Sequence, residues 1–262
     1  MKIIKRIVKE SDKVTKNILD KCFTMHYPNK EIELHDAAIL GLLEDMIGKT
    51  TSLITLVENK NYNTLDAIAR MMFENFIYLK FILEKDTSNR GAAYIYSLKR
   101  RELRIFDSIA EQTLVGSKVR SFLNIKRDKF ITDFPKFSDL NHREEIEIFN
   151  PYDKKIKTQK WYNFNGRINN LRKLSAYLGI EDQYILLYQI FSGEVHAQES
   201  LKYFHFEENY VTVLRKEVDS KTHISIASNF MIETIRSIYS FYGLKEEIKV
   251  FNNIIAANYR YK

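Results

Sequence analysis

An all-α fold, a helical bundle of about eight to ten helices, is what this sequence predicts, and three observations predict it. Only 8 Gly and 3 Pro occur in 262 residues, whereas turn-rich all-β folds need a turn every 8–12 residues, drawn largely from Gly, Pro, Asn and Asp. Apolar residues recur at intervals of three and four through most of the chain. The interruptions between these stretches are short and polar, the spacing expected of antiparallel neighbours in a bundle. Apolar residues at 45% and charged residues at 29% place the chain among globular proteins and outside the disordered class.

The elements follow in order. Ile3, Ile4, Ile7, Val8, Val14, Ile18 and Leu19 form an amphipathic first helix over 1–22, ending before the Tyr27-Pro28-Asn29 turn. The run Ile39, Leu42, Leu43, Met46, Ile47, Leu53, Ile54, Leu56 predicts one long helix over 32–60. After Asn59–Asn63, Thr64 is placed to cap a second helix reaching Lys85, and Thr87 or Ser88 a third over 89–111. A more basic helix is expected over 115–130. Pro135 and Pro151 then bracket a weakly periodic stretch, read as an irregular excursion over 133–160. Helical pattern returns over 164–178, ends at Gly179, and resumes over 181–200. Phe206 to Val218 is rich in aromatic and β-branched residues and is read as a small β-hairpin. A helix over 222–242 and a terminal one beyond Gly243 complete the chain. The whole is expected to be a single helical domain, 1–262, with its core in 32–130 and 161–262.

Lys and Arg total 41 against 34 Asp and Glu, leaving a net charge of +7. Such a surplus points toward RNA or another polyanion as partner. Cys22 is the only cysteine, so neither a disulfide nor a CxxC metal motif can form within the chain. The first twelve residues carry charges every few positions, which excludes a signal peptide, and apolar runs are broken well short of the ~20 residues that span a bilayer. A cytoplasmic protein with no membrane partner is the expectation, and a homodimer is compatible with it.

Two helices carry the candidate chemistry. On the helix over 64–85, Leu65, Ile68, Met72, Phe76, Leu79 and Leu83 form one stripe, while Arg70 and Glu74 lie opposite with Ala67, Ile77 and Phe81. A helix apolar on both faces is central to its bundle, so this ionic pair is expected at the edge of packed surface, where i,i+4 spacing allows pairing. It reads either as a structural network or as an anion site. In the second helix Tyr188, Ser192 and His196 follow at four-residue intervals, with Gly193 costing roughly 1 kcal/mol against Ala at mid-helix. His196 is a candidate proton carrier with Ser192 within reach; no Gly-x-Ser-x-Gly elbow stands here.

Arg70-x-x-Phe73-Glu74, Trp161 and Tyr188-x-x-x-Ser192-x-x-x-His196 together resemble a bacterial all-helical family catalogued as a domain of unknown function, with Arg-x-x-Phe-Glu and Ser-x-x-x-His helices. The resemblance covers roughly residues 35–200. It implies a distant relation to HEPN-type helical proteins of defence and toxin systems, many of them metal-independent ribonucleases. Those nucleases carry Arg and His four to six residues apart on one helix; here Arg70 and His196 would have to meet across helices.

The resemblance and the residues together define three readings: an RNA-directed defence or toxin component with ribonuclease-like chemistry using Arg70, Glu74, Ser192 and His196; a non-enzymatic interaction module with a buried Arg–Glu and Ser–His network; or a pocket for a small anionic ligand. Lys99, Arg100, Arg101 and Arg104, echoed by basic residues over 118–129, are the candidate nucleic-acid contacts. Neither HExxH, GxGxxG nor GxxxxGK[ST] occurs, so no metal and no cofactor is expected.

Overall fold

The computed structural model describes residues 1–25, 31–62, 64–152, 160–189, 204–207, 210–213 and 220–260. The N-terminal segment is not one helix. α1 (Lys2–Ser11) breaks at Asp12–Lys13, and α2 (Val14–Ile18) runs on into a π-helical turn, Leu19–Met25. Ile4, Ile7, Val14 and Ile18 are all fully buried on either side of the break.

Three long helices build the centre: α3 (Leu34–Glu58), α4 (Leu65–Glu84) and α5 (Thr87–Ala110). Before α3, Glu33 and Asp36 form a reciprocal capping box, which satisfies amides left open at a helix start. Asp36 is wholly buried and also accepts from the Tyr242 hydroxyl at 2.7 Å. Burial and that bond drive the Tyr242 phenol well above its ordinary pKa. Thr64 occupies the cap position of α4 without a side-chain bond. The α5 cap is Asp86, not Thr87 or Ser88. As its two apolar faces predict, α4 is central: it packs on α3, on α5 and on α11 (Lys221–Phe241). Phe73 and Phe76 of α4 meet Phe230 of α11 at 5.9 and 4.8 Å between ring centres.

The basic helix expected over 115–130 is two, α6 (Leu114–Leu123) and α7 (Arg127–Asp133), because Asn124 turns into the left-handed region at φ 54°. Where the sequence reads an irregular excursion over 133–160, the described residues 133–152 carry regular structure. Pro135–Phe137 forms one 3₁₀ turn, and α8 (Leu140–Ile148) is capped by Asp139, whose Oδ1 accepts from the Asn141 and His142 amides. Its periodicity is weak because α8 buries one residue, Ile146. Residues 153–159 lie outside the described residues.

The helix expected over 164–178 begins only at Leu171. Asn163 and Asn170 organise the approach, accepting from the Ile168 and Lys173 amides, before α9 (Leu171–Tyr177). Gly179 and Gly243, at φ 71° and 70°, terminate α9 and α11 in the left-handed conformation that glycine adopts without strain. After α10 (Glu181–Gln183) the chain continues as a π-helix, Tyr184–Gln189. β1 (Phe204–Glu207) pairs antiparallel with β2 (Tyr210–Val213), earlier in the chain than the 206–218 expected. α12 (Lys245–Arg260) follows α11. The helical segments thus exceed the eight to ten expected, chiefly through the divided α1–α2 and α6–α7 and the short α8 and α10.

Apolar burial falls into two clusters. One joins α1–α4, α9, α11 and α12; the other is Leu103, Phe106, Ala110, Phe137 and Ile146, between the second half of α5 and the arm formed by α7 and α8.

Candidate functional site

The outer face of α4 carries Asp66, Arg70 and Glu74 on successive turns, because residues four apart on a helix stack along one side. Arg70 Nε lies 3.5 Å from Glu74 Oε1, with Arg70 mostly buried and Glu74 partly so. Burial pushes the Glu74 carboxyl above its ordinary value, opposed in turn by the positive charges of Arg70, Lys49 and Lys160. The position of α4 at the centre forces this: one stripe packs the core, and the opposite face meets α3 and the 160–164 segment.

Around this pair the structure gathers groups that the sequence did not single out. Asn75, buried, donates to Asp45 of α3 at 2.6 Å, and Lys49 pairs with the same carboxylate one turn away. Burial raises the Asp45 pKa, but the Lys49 and Asn75 hydrogen bonds outweigh it and leave the carboxyl low. One turn beyond Glu74, Tyr78 sits in an aromatic group with Trp161 at 5.2 Å, Tyr162 at 5.9 Å and Tyr94 at 6.2 Å. Arg70, Glu74 and Trp161, quoted together from sequence, therefore lie along one side of α4 and its neighbour.

At the other end of the face, Asp66 Oδ1 is 2.5 Å from Nε2 of His223, a buried residue of α11. No spacing could have flagged this pair, since 157 positions separate its members. Among the described residues no group of three or more His, Cys, Asp or Glu is placed to hold a metal ion.

Ser192 and His196 lie outside the described residues, as does Gly193. The helix leading to them, Tyr184–Gln189, packs on α4.

The basic set on α5 is divided in role. Arg100 is half-buried and donates to the Ile146 and Phe149 carbonyls at 3.2 and 2.9 Å, closing the C-terminus of α8. Burial, with Arg104 nearby, lowers its pKa. Lys99 Nζ stands 4.4 Å above the Tyr96 ring. Arg101 and Arg104 are exposed. Of the echoing residues, Arg120 donates to the Ile109 and Glu111 carbonyls and Arg127 to that of Ala110. Sequence composition cannot distinguish such caps from free cations, because the same guanidinium serves both.

A cleft of about 580 Å³ opens elsewhere, where α4, α9 and α11 end, lined in part by Lys80, Glu84, Tyr177, Arg236 and Phe241. Two of its charged residues are engaged: Arg236 bonds Asn252 and Glu233, and Glu84 bonds Arg90 and Tyr177.

Fold and site together define a predominantly helical protein whose central helix presents an ionic face beside an aromatic group. The chain belongs to the Family of unknown function (DUF5677), whose profile matches residues 36–211, from α3 to β2. That span contains Arg70, Glu74, Trp161, Ser192 and His196 and leaves out His223. No curated protein and no solved structure matches the chain. No helix among the described residues is long and apolar enough to cross a membrane.

Proposed function

We propose that the ionic face of α4 binds phosphate-bearing chains, and that the protein is a cytoplasmic, RNA-directed component of bacterial defence or toxin systems, akin to HEPN-type proteins, with metal-independent ribonuclease-like chemistry. Glu74 carries this reading: a partly buried carboxyl, raised by burial, held beside a fixed guanidinium with two lysines acting on it. One turn from Arg70 on the same face, that carboxyl is placed to fix the direction of the guanidinium. A positioned guanidinium stabilises charge that develops on a phosphate during cleavage. In this scheme Arg70 binds the phosphate, His196 moves the proton, and Glu74 with Ser192 orients them, while exposed Arg101 and Arg104 hold the RNA backbone.

Incubation of the pure protein with total RNA, with chelator present, tests it. Cleavage that persists with chelator and falls at least about a hundredfold in His196→Ala and Arg70→Ala is the expected result. Absence of cleavage, or cleavage indifferent to His196, overturns it.

One observation favours a second reading, a structural network. The Asp45–Asn75 and Asp66–His223 bonds tie α4 to α3 on one side and to α11 on the other. On that reading Arg70→Ala lowers the melting temperature and no RNA-dependent change accompanies it.

A further inference from the structure

α6 is mounted with its apolar side outward. At 100° per residue, Leu114, Val115, Val119, Phe122 and Leu123 occupy about one half of the helix, with Lys118 between Leu114 and Phe122, and Gly116, Ser117, Arg120 and Ser121 occupy the other. An amphipathic helix on a soluble core ordinarily buries the first set. Here Leu114 is 74% exposed, Val115 68% and Phe122 89%, and the single buried residue of α6 is Gly116.

Specific contacts hold this orientation. A Cβ on Gly116 would lie 2.5 Å from the Glu111 carbonyl oxygen, so only glycine lets the helix approach on that side. Arg120 reaches from the same side to the Ile109 and Glu111 carbonyls at 2.5 and 2.8 Å. Thr113 Oγ1 accepts from the Gly116 amide at 3.0 Å and fixes where the helix starts. The polar side is therefore anchored to the end of α5, which leaves the apolar side facing solvent.

Charge and size choose the occupant. Besides Arg120 and Arg127, whose guanidinium groups are spent on carbonyls at the end of α5, residues 114–129 carry Lys118, Lys126 and Lys129 against one acid, Asp128. A two-fold pairing of this short face with a second copy would set the central Lys118 against its own counterpart, and five side chains on ten residues bury far less than the roughly 800 Å² per partner of a stable interface. An exposed row of Leu, Val and Phe with Lys118 among them instead fits the headgroup boundary of an anionic bilayer, where the apolar side chains enter and the lysine stem reaches up to phosphate. The expectation of no membrane partner rested on the absence of spanning segments, and a surface contact needs none.

We propose that α6 docks this protein on anionic lipid surfaces through Leu114, Val115, Phe122 and Leu123, with Lys118 standing among them between Leu114 and Phe122. The test is co-sedimentation of the full chain with phosphatidylcholine vesicles and with vesicles containing phosphatidylglycerol. Binding to the anionic vesicles alone is expected, weakened about tenfold or more in Phe122→Ser and weakened in Lys118→Glu. Val250→Ser, at an exposed apolar site on α12, should bind like the parent chain. Phe122 is almost fully exposed, so its replacement leaves the fold intact, which circular dichroism verifies. Protein left in the supernatant, equal binding to neutral vesicles, or unchanged binding by Phe122→Ser overturns the proposal. So does a dimer in solution that Phe122→Ser dissociates, which would give the face to a second copy.

Discussion

In the main bundle Ile39, Leu43, Leu53, Phe73, Ile77 and Phe81 lose all contact with water, whereas the arm that packs on the second half of α5 buries only Phe137 and Ile146 of its own apolar residues. The arm compensates with directed polar contacts. Arg143 forks onto both oxygens of Asp107 at 2.9 and 3.0 Å and donates to the Phe137 carbonyl. Tyr96 donates to Glu145 while its ring stacks on Phe149 at 3.7 Å. Arg100, Arg120 and Arg127 cap helix ends. Apolar burial scales with area and is indifferent to direction, while a fork or a cap is lost with one atom pair. The two regions should therefore fail differently: the bundle all at once, and the arm locally with little effect on the rest.

The largest effect is expected at the centre. Phe73→Ala leaves a cavity against Phe230 and should cost about 3–5 kcal/mol, lowering the single thermal transition of the whole chain. If only part of the structure melted early, the bundle would not be the cooperative unit argued here.

Next comes Arg90, which is 1% exposed and lies 3.8 Å over the Phe81 ring while bonding the Phe81 carbonyl, Glu84 and Tyr177. Arg90→Ala removes these contacts together and should cost about 3 kcal/mol, again in the global transition. Arg90→Lys keeps the charge but not the planar stack, so it should recover less than half. Full rescue by lysine would show that charge alone matters there.

This contrast also explains what could be read before the structure. The helices of the bundle were legible because burial writes a 3.6-residue period into the sequence, and α4, with two apolar faces, announced its central place. The arm was misread as irregular because α8 buries Ile146 alone, which leaves no period to detect. The Arg70–Glu74 pair was visible through i,i+4 spacing on one helix. Asn75–Asp45 and Asp66–His223 were not, since each joins helices whose relative placement only the fold decides. For the basic residues, composition gave a count but not an assignment: Arg100 and Arg120 close helix ends, and Arg101 and Arg104 remain open to partners.

A smaller and local effect should follow Arg143→Ala. Both side chains of the fork keep partial solvent access, so the loss is about 1–2 kcal/mol. Amide exchange should accelerate in α7 and α8 while α3, α4 and α11 keep their protection. Acceleration spread evenly through the bundle would mean that arm and bundle unfold as one.

The finest test of the difference is pH. Tyr96 has its pKa pushed up to about 12 from 10.0, first by the bond to Glu145 and then by burial. Glu145 is held below its ordinary 4.5, chiefly by the same bond. The signs are opposite. The raised phenol stabilises the arm fully below pH 10.0, a contribution lost as pH climbs through about 12. The lowered carboxyl stabilises it above pH 4.5, a contribution lost as pH falls through its folded-state value. Protection of α8 amides, corrected for intrinsic exchange, should thus be flat between these limits and decline on both sides. Tyr96→Phe keeps the stack on Phe149 but removes the proton, so its α8 should be less protected across the plateau and should lose the alkaline decline attributable to this bond. An α8 whose protection follows the same pH curve in Tyr96→Phe and the parent chain would show that the arm rests on its apolar cluster after all, as the bundle does.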